Sequence, residues 1–299
     1  MNQKFQKSIW RAEGIRTLPT TRMHHKKTFS VSLILLYTCL TSLPADKPNV
    51  LLMFIDDMGY GDIGPFGNTV NQTPNLDRMA QEGNRLTQYY TSNTACTPSR
   101  AALMTGTYAA RIGMDGTVCF PNEKRGLNPT ELTIGDAMKS VGYRTGIFGK
   151  WHLGDQREFL PLQNGFDEYF GIPYSNDMWP LNLNGHRHTK ETYTPLPVLR
   201  QNKVVAYVSD GVDQSLLCEV ITDEAVKFIK KNKDQPFFLY IPHAYVHLPR
   251  FGRLDLAKKV EGDIDRATVE EVDTSVGRIL DTLEELEIDE NTLFIFTSD

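Results

Sequence analysis

Cysteine is scarce, with four in 299 residues, too few to staple a small disulfide scaffold together. Long apolar runs are lacking too. The longest, residues 29–43 (FSVSLILLYTCLTSL), is short for a membrane helix and is punctuated by polar residues. Glycine (22) and proline (16) sit at ordinary levels and no repeat is visible, which excludes a collagen-like, low-complexity or mainly disordered chain. Basic charge is in deficit over most of the length. Residues 1–45 carry seven Lys/Arg and one acidic residue, leaving 25 basic against 36 acidic side chains, a balance of −11. A body that acidic argues against nucleic acid, whose binding rests on Lys and Arg at phosphates.

What is present begins with the apolar run itself. His24, His25, Lys26 and Lys27 precede it and Pro44-Ala45 follow, the pattern of a secretory signal. The expectation is cleavage, then a secreted or periplasmic protein with no stable membrane span. A lipoprotein anchor at Cys39 is less favoured, because Tyr37 and Thr38 suit small-residue cleavage poorly. A signal normally starts near its charged segment, so Met23 competes with Met1 as the true start. Residues 1–45 are therefore read as extension and signal, and 46–299 as one catalytic domain. The sequence stops at Phe294-Ile295-Phe296-Thr297-Ser298-Asp299, straight out of an apolar run, which points to a reading frame cut short.

Between these ends, Asn49–Ile55 (NVLLMFI) reads as a buried parallel strand running into Asp56-Asp57. Residues 75–83 and 132–141 read as short helices, 85–90 as a strand, and 144–148 as a strand leading to Gly149-Lys150-Trp151-His152. Leu217, Val220, Ile221, Phe228 and Ile229 share a helical face, followed by the strand Phe237–Ile241. Val269, Val272, Val276, Ile279, Leu280, Leu283 and Leu286 repeat at helical spacing before a last strand, Leu293–Phe296. Alternating strands and helices predict an α/β fold, a mostly parallel sheet with helices on both faces. Residues 173–215, rich in Pro, Asn and Gly, read as a long irregular excursion.

Ligands of open α/β sheets gather beyond the carboxyl ends of the strands. Here those ends deliver Asp56-Asp57, Lys150 with His152, His243 with His247, and Asp299. Each alone has a bland reading, since an aspartate after a strand is commonly a turn or cap. Together they place three hard oxygen donors, imidazoles and a lysine on one edge. Clustered carboxylates repel unless a cation joins them, so calcium, with magnesium second, is the natural partner. Ala95-Cys96-Thr97-Pro98-Ser99-Arg100 adds a cysteine at a helix start, where anions are favoured, with Arg100 one turn in. The residues themselves leave open an anion pocket with a reactive thiol or an inert buried helix start.

Cys96-Thr97-Pro98-Ser99-Arg100, with Leu103 and Thr105-Gly106, resembles the signature of the sulfatase family. So do Gly142-Tyr143-Arg144-Thr145 with Gly149-Lys150-Trp151-His152-Leu153-Gly154, the opening Pro48-Asn49-Val50 through Asp62, and Thr73-Pro74-Asn75-Leu76-Asp77. Gly171-Ile172-Pro173-Tyr174-Ser175 resembles the arylsulfatase A branch. The likeness spans Pro48 to Asp299 and implies the alkaline-phosphatase superfamily fold.

The resemblance further implies a calcium-dependent sulfuric ester hydrolase acting on aryl sulfates or sulfated carbohydrates. Cys96 would be oxidised to Cα-formylglycine by a maturation enzyme; one hydroxyl of its hydrate attacks sulfur and the second later expels sulfate. Asp56, Asp57 and Asp299 match calcium ligands. Arg100 and Lys150 match groups that bind the diol and the sulfate charge. His152 matches the base for sulfate release, and His247 the histidine near the leaving-group oxygen. Ser175, with Lys150 and His247, matches a substrate-side position. His243 matches none and reads as structural, while His186 and His188 read as loop residues.

The family's further asparagine and lysine would follow Asp299, so the 299-residue chain alone is expected to be poorly soluble or inactive. Two rival readings stay open: a phosphonate or phosphate monoester hydrolase of the same superfamily, and a non-catalytic binder of sulfated glycans. Cys119 and Cys218 are candidates to pair in an oxidising compartment.

Overall fold

Asn49 and the six continuous apolar residues after it, Val50–Ile55, form strand β1 (Asn49–Ile55), buried along nearly its whole length. In the computed structural model, which describes residues 47–181 and 193–299, this strand sits inside a seven-stranded sheet. The apolar run 29–43, Cys39, His186 and His188 lie outside the described residues.

Helix α1 (Pro74–Glu82) opens on a proline, whose missing N–H costs nothing in a first turn. Helix α2 (Cys96–Thr105) ends at Gly106 in the left-handed conformation. Helix α3 (Ile134–Ser140) carries a reciprocal capping box between Thr133 and Asp136. Then come β2 (Arg144–Lys150), β3 (Glu168–Ile172), β4 (Leu196–Arg200), β5 (Lys203–Val208), the single turn α4 (Gly211–Gln214) and α5 (Leu217–Asn232). Strand β6 (Phe237–Pro242), α6 (Leu254–Lys259), α7 (Ile264–Glu285) and β7 (Thr292–Ser298) complete the order. Among the described residues, no helix is long and apolar enough to cross a membrane.

The sheet runs β5-β4-β3-β2-β6-β1-β7, and the block from β3 to β7 is parallel throughout. Among the described residues, β4 pairs antiparallel with both β3 and β5. Parallel strands need cover on both faces, and alternate residues of β1 supply two separate cores. Leu51, Met53 and Ile55 pack with α5 and α7 residues such as Val220, Ile221, Val272 and Val276. Leu52 and Phe54 pack the other face with Ala101 and Met104 of α2 and with Ile134 and Met138 of α3. The expected mostly parallel α/β sheet with helices on both faces is what the chain forms.

Three local expectations are corrected. Residues 85–90 form no strand; Leu86 and Tyr90 stand exposed and no neighbouring strand pairs with them. Residues 173–215 are not irregular throughout, because β4, β5 and α4 lie within them. Cys119 and Cys218 are free thiols belonging to the two different cores, with the sheet between them, so they form no disulfide.

One glycine is demanded by strand packing at the site. Gly149, at φ 141°, lies where a Cβ would come 1.9 Å from the Pro242 carbonyl oxygen. Any larger residue would push apart the carboxyl ends of β2 and β6, which carry Lys150 and the His247 loop.

Candidate active site

The parallel strands end together and deliver their chemistry to one edge, as the topology requires. Asp56 follows β1 with its carboxylate fully buried. Its Oδ1 accepts from Arg100 Nη2 at 3.0 Å and its Oδ2 from Lys150 Nζ. The same Arg100 nitrogen donates to Asp299 Oδ2 at 3.0 Å, and Nη1 donates to the Lys150 carbonyl at 3.3 Å. Arg100 also lies 5.2 Å over the Phe54 ring, which fixes its plane. Lys150 Nζ makes a further bond to Ser175 Oγ at 3.0 Å.

Asp57 takes a left-handed φ of 58°, a conformation short polar residues tolerate best. That turn sends its N–H to Asp299 Oδ1 at 2.9 Å and sets its own carboxylate 3.6 Å from His247 Nε2. Asp56, Asp57 and Asp299 bring carboxylate oxygens within 4.8 Å of one another. The loop carrying His247 is bolted to Asp56 by paired backbone bonds, Asp56 N–H to Tyr245 O (2.9 Å) and Val246 N–H to Asp56 O (2.7 Å).

Burial opposes ionisation of Asp56, but Lys150 and Arg100 outweigh it and hold the carboxyl well below the usual range. Asp299 goes the other way: burial, and then the Asp56 charge, push it up to about 6. Three hard oxygen donors, one of them reluctant to ionise beside another, form a set suited to a divalent cation. The donor chemistry therefore fits calcium or magnesium.

Cys96 is the first residue of α2, half-buried, with Ala95 at the N-cap offering no side-chain bond. The free N–H groups of that first turn face an anion-favouring position, with the buried Arg100 one turn further on. Burial raises the Cys96 thiol while Lys150 and Arg100 draw it down. His152 is fully buried, and burial together with the Lys150 and Arg100 charges keeps it well below its ordinary pKa, hence neutral.

Every predicted site residue except His243 converges on this edge. His243 is buried, bonded to Ser275 Oγ at 3.1 Å and pushed down to about 4 by burial, in keeping with a structural role. The signatures gave no role to Thr97 or to the Cys119 backbone, yet both bond at His152. A backbone carbonyl leaves no mark in sequence, so only the fold reveals that contact.

Glu271 of α7 supports the same loop from beneath. Its Oε2 accepts from Arg253 N–H at 3.3 Å, and its other oxygen has no hydrogen-bond partner among the described residues. Burial raises its pKa to about 8. Between roughly pH 4.5 and 8 the folded state keeps a proton that the unfolded chain has released. Stability should therefore fall as pH rises through that window and level off above it. Urea unfolding across this range is expected to show the decline in wild type and a flatter profile in Glu271→Gln; an unchanged slope would refute the assignment.

An α/β sheet with this edge is of the alkaline-phosphatase and sulfatase-like class. A profile described as Sulfatase matches residues 48–299, and the chain belongs to the sulfatase family. Arylsulfatase A of Homo sapiens is 36% identical over 270 residues, covering 85% of this chain and 52% of that protein. N-acetylgalactosamine-6-sulfatase of Canis lupus familiaris is 38% identical over 268 residues, covering 84% and 50%. The crystal structure of PsFucS1 sulfatase from Pseudoalteromonas sp. superposes with a TM-score of 0.77 at 32% identity, covering 85% of this chain and 55% of that one. The chain spans about half the length of the curated relatives it matches.

Proposed function

We propose that the protein hydrolyses sulfate monoesters, of aryl alcohols or of sulfated carbohydrates, at a formylglycine made from Cys96 by a maturation enzyme. The observation that carries this is the meeting of a helix-start cysteine with the buried Arg100–Asp56–Lys150 network and the Asp56, Asp57, Asp299 cluster. The hydrated aldehyde supplies a nucleophilic hydroxyl and a second one that lets the covalent ester break down. Calcium held by Asp56, Asp57 and Asp299 supplies positive charge for the sulfate oxygens.

The chain's own residues do the rest. Arg100 and Lys150, ionised and nearly dehydrated, balance the sulfate charge beside the nucleophile. His152, neutral and shielded from water, takes the proton when sulfate is expelled. His247, more accessible and set against Asp57, donates a proton to the departing oxygen. Ser175, through its bond to Lys150, orients that ammonium and faces the substrate side. The relatives named for arylsulfate and N-acetylgalactosamine-6-sulfate support this substrate class. The expected compartment is secreted or periplasmic, after removal of residues 1–45.

The test compares an aryl sulfate with the matching aryl phosphate, using protein expressed from its full gene. The sulfate should turn over faster, chelation should suppress turnover, and calcium should restore it better than magnesium. Preference for the phosphate, or indifference to the chelator, would overturn the proposal.

A further inference from the structure

Three segments that lie far apart in sequence close a small ring of hydrogen bonds behind His152. Thr97 Oγ1, fully buried, donates to the His152 carbonyl at 2.9 Å and accepts from the Cys119 N–H at 3.0 Å. The Cys119 carbonyl in turn lies 3.1 Å from His152 Nε2. A hydroxyl has one hydrogen to give. Because a carbonyl can only accept, that of His152 takes this hydrogen, and the amide of Cys119 fills a lone pair, so the direction of each bond is fixed. For the same reason the Cys119 carbonyl requires a hydrogen on Nε2. In a neutral imidazole that leaves Nδ1 as the bare acceptor, and Nδ1 is buried with no hydrogen-bond partner among the described residues.

The backbone beneath the ring is strained. His152 has φ 59°, a region costly for a residue with a side chain unless its surroundings hold it there. Two bonds do so: its N–H to the Pro173 carbonyl at 3.1 Å, and the Thr97 hydroxyl on its own carbonyl.

We infer that Thr97 is a positioning residue for the proposed hydrolysis, its hydroxyl locking His152 as the Nε2–H tautomer with Nδ1 turned to the reaction. Thr97 follows Cys96 directly, so its hydroxyl ties the helix start that carries the nucleophile to the segment that carries the base. The inference rests on the proposed function for its kinetic consequence but not for its structural one.

The experiment uses Thr97→Val, which keeps the shape and removes the hydroxyl, and Thr97→Ser, which keeps the hydroxyl, in protein expressed from the full gene. Nitrogen NMR of labelled histidine, with His152 assigned by loss of its signals in His152→Gln, reads the tautomer without any substrate. Wild type should show protonated Nε2 and bare Nδ1, Thr97→Val a mixture of tautomers, and Thr97→Ser the wild-type pattern. In turnover, Thr97→Val should lose on the order of 10²-fold in kcat through a misplaced base, with KM little changed and sulfated enzyme accumulating; Thr97→Ser should recover most of the rate.

Wild-type kcat and tautomer in Thr97→Val, or a loss in Thr97→Ser equal to that in Thr97→Val, would overturn the inference. If Thr97→Val does not fold, wild type alone decides, since a protonated Nδ1 there contradicts it. Absence of sulfate-ester turnover in wild type would instead count against the proposed function, leaving the NMR to judge the tautomer lock.

Discussion

Cys96→Ala is expected to abolish sulfate-ester turnover, a fall on the order of 10⁴-fold or more, while the protein stays folded. Cys96 is half-buried at the first position of α2 and anchors no disulfide among the described residues, so alanine leaves the helix and its N-terminal N–H groups in place. What disappears is the thiol that maturation would convert into the aldehyde, and with it the diol hydroxyl that attacks sulfur. Cys96→Ser is expected to behave differently. A serine hydroxyl beside Arg100 and Lys150 can accept the sulfuryl group once but offers no second hydroxyl to expel it. The variant should capture one sulfate group and stop, visible as a single stoichiometric release of the aryl alcohol. Steady turnover by either variant would sink the nucleophile assignment.

Arg100→Met is expected to cost about 3–5 kcal/mol in stability, the range for removing one partner from a buried ion network. One Arg100 nitrogen serves both Asp56 and Asp299 at 3.0 Å, in a side chain only 1% exposed. Methionine can cover Phe54 but satisfies neither carboxylate; Asp56 is left with Lys150, and Asp299 with the Asp57 N–H. Calcium binding to the folded state should return part of the loss by mass action. Urea denaturation with and without calcium measures both effects. A loss below about 1 kcal/mol, the scale of an exposed ion pair, would mean that the network carries little.

Much of this was legible in the residues. NVLLMFI followed by two aspartates announces a buried parallel strand and its carboxyl-end site, and the structure places it there. Spacing also revealed α5 and α7, because burial on one stripe imposes the helical period. Residues 85–90 misled because Leu-Thr-Gln-Tyr-Tyr has the composition of a strand, while strand formation needs a neighbour to complete the ladder. The hairpin of β4 and β5 was obscured by the polar, proline-containing stretch around it. Its signal was nonetheless present: an apolar run, Leu196–Leu199, and a valine-rich one, Val204–Val208, flank Gln201-Asn202, and Gln201 turns the chain at φ 59°.

At the site, identities were legible and relations were not. The sequence names Asp56, Lys150 and Asp299 as charged residues at strand ends and Arg100 one turn into a helix. It does not say that one guanidinium nitrogen bridges two of the carboxylates, nor that Lys150 and Arg100 hold Asp56 below the ordinary range while burial lifts Asp299 above it. Those follow from distances across the sheet edge. Cys119 shows the same limit. Its thiol invited a disulfide reading, whereas its contribution is a backbone carbonyl on His152.

Mass spectrometry of the peptide containing Cys96, from the full gene expressed in its own host, tests the central claim most directly. The account predicts the mass of formylglycine at that position. An unmodified thiol in folded, secreted protein would contradict it, leaving Asp56, Asp57 and Asp299 as a cation site without a nucleophile.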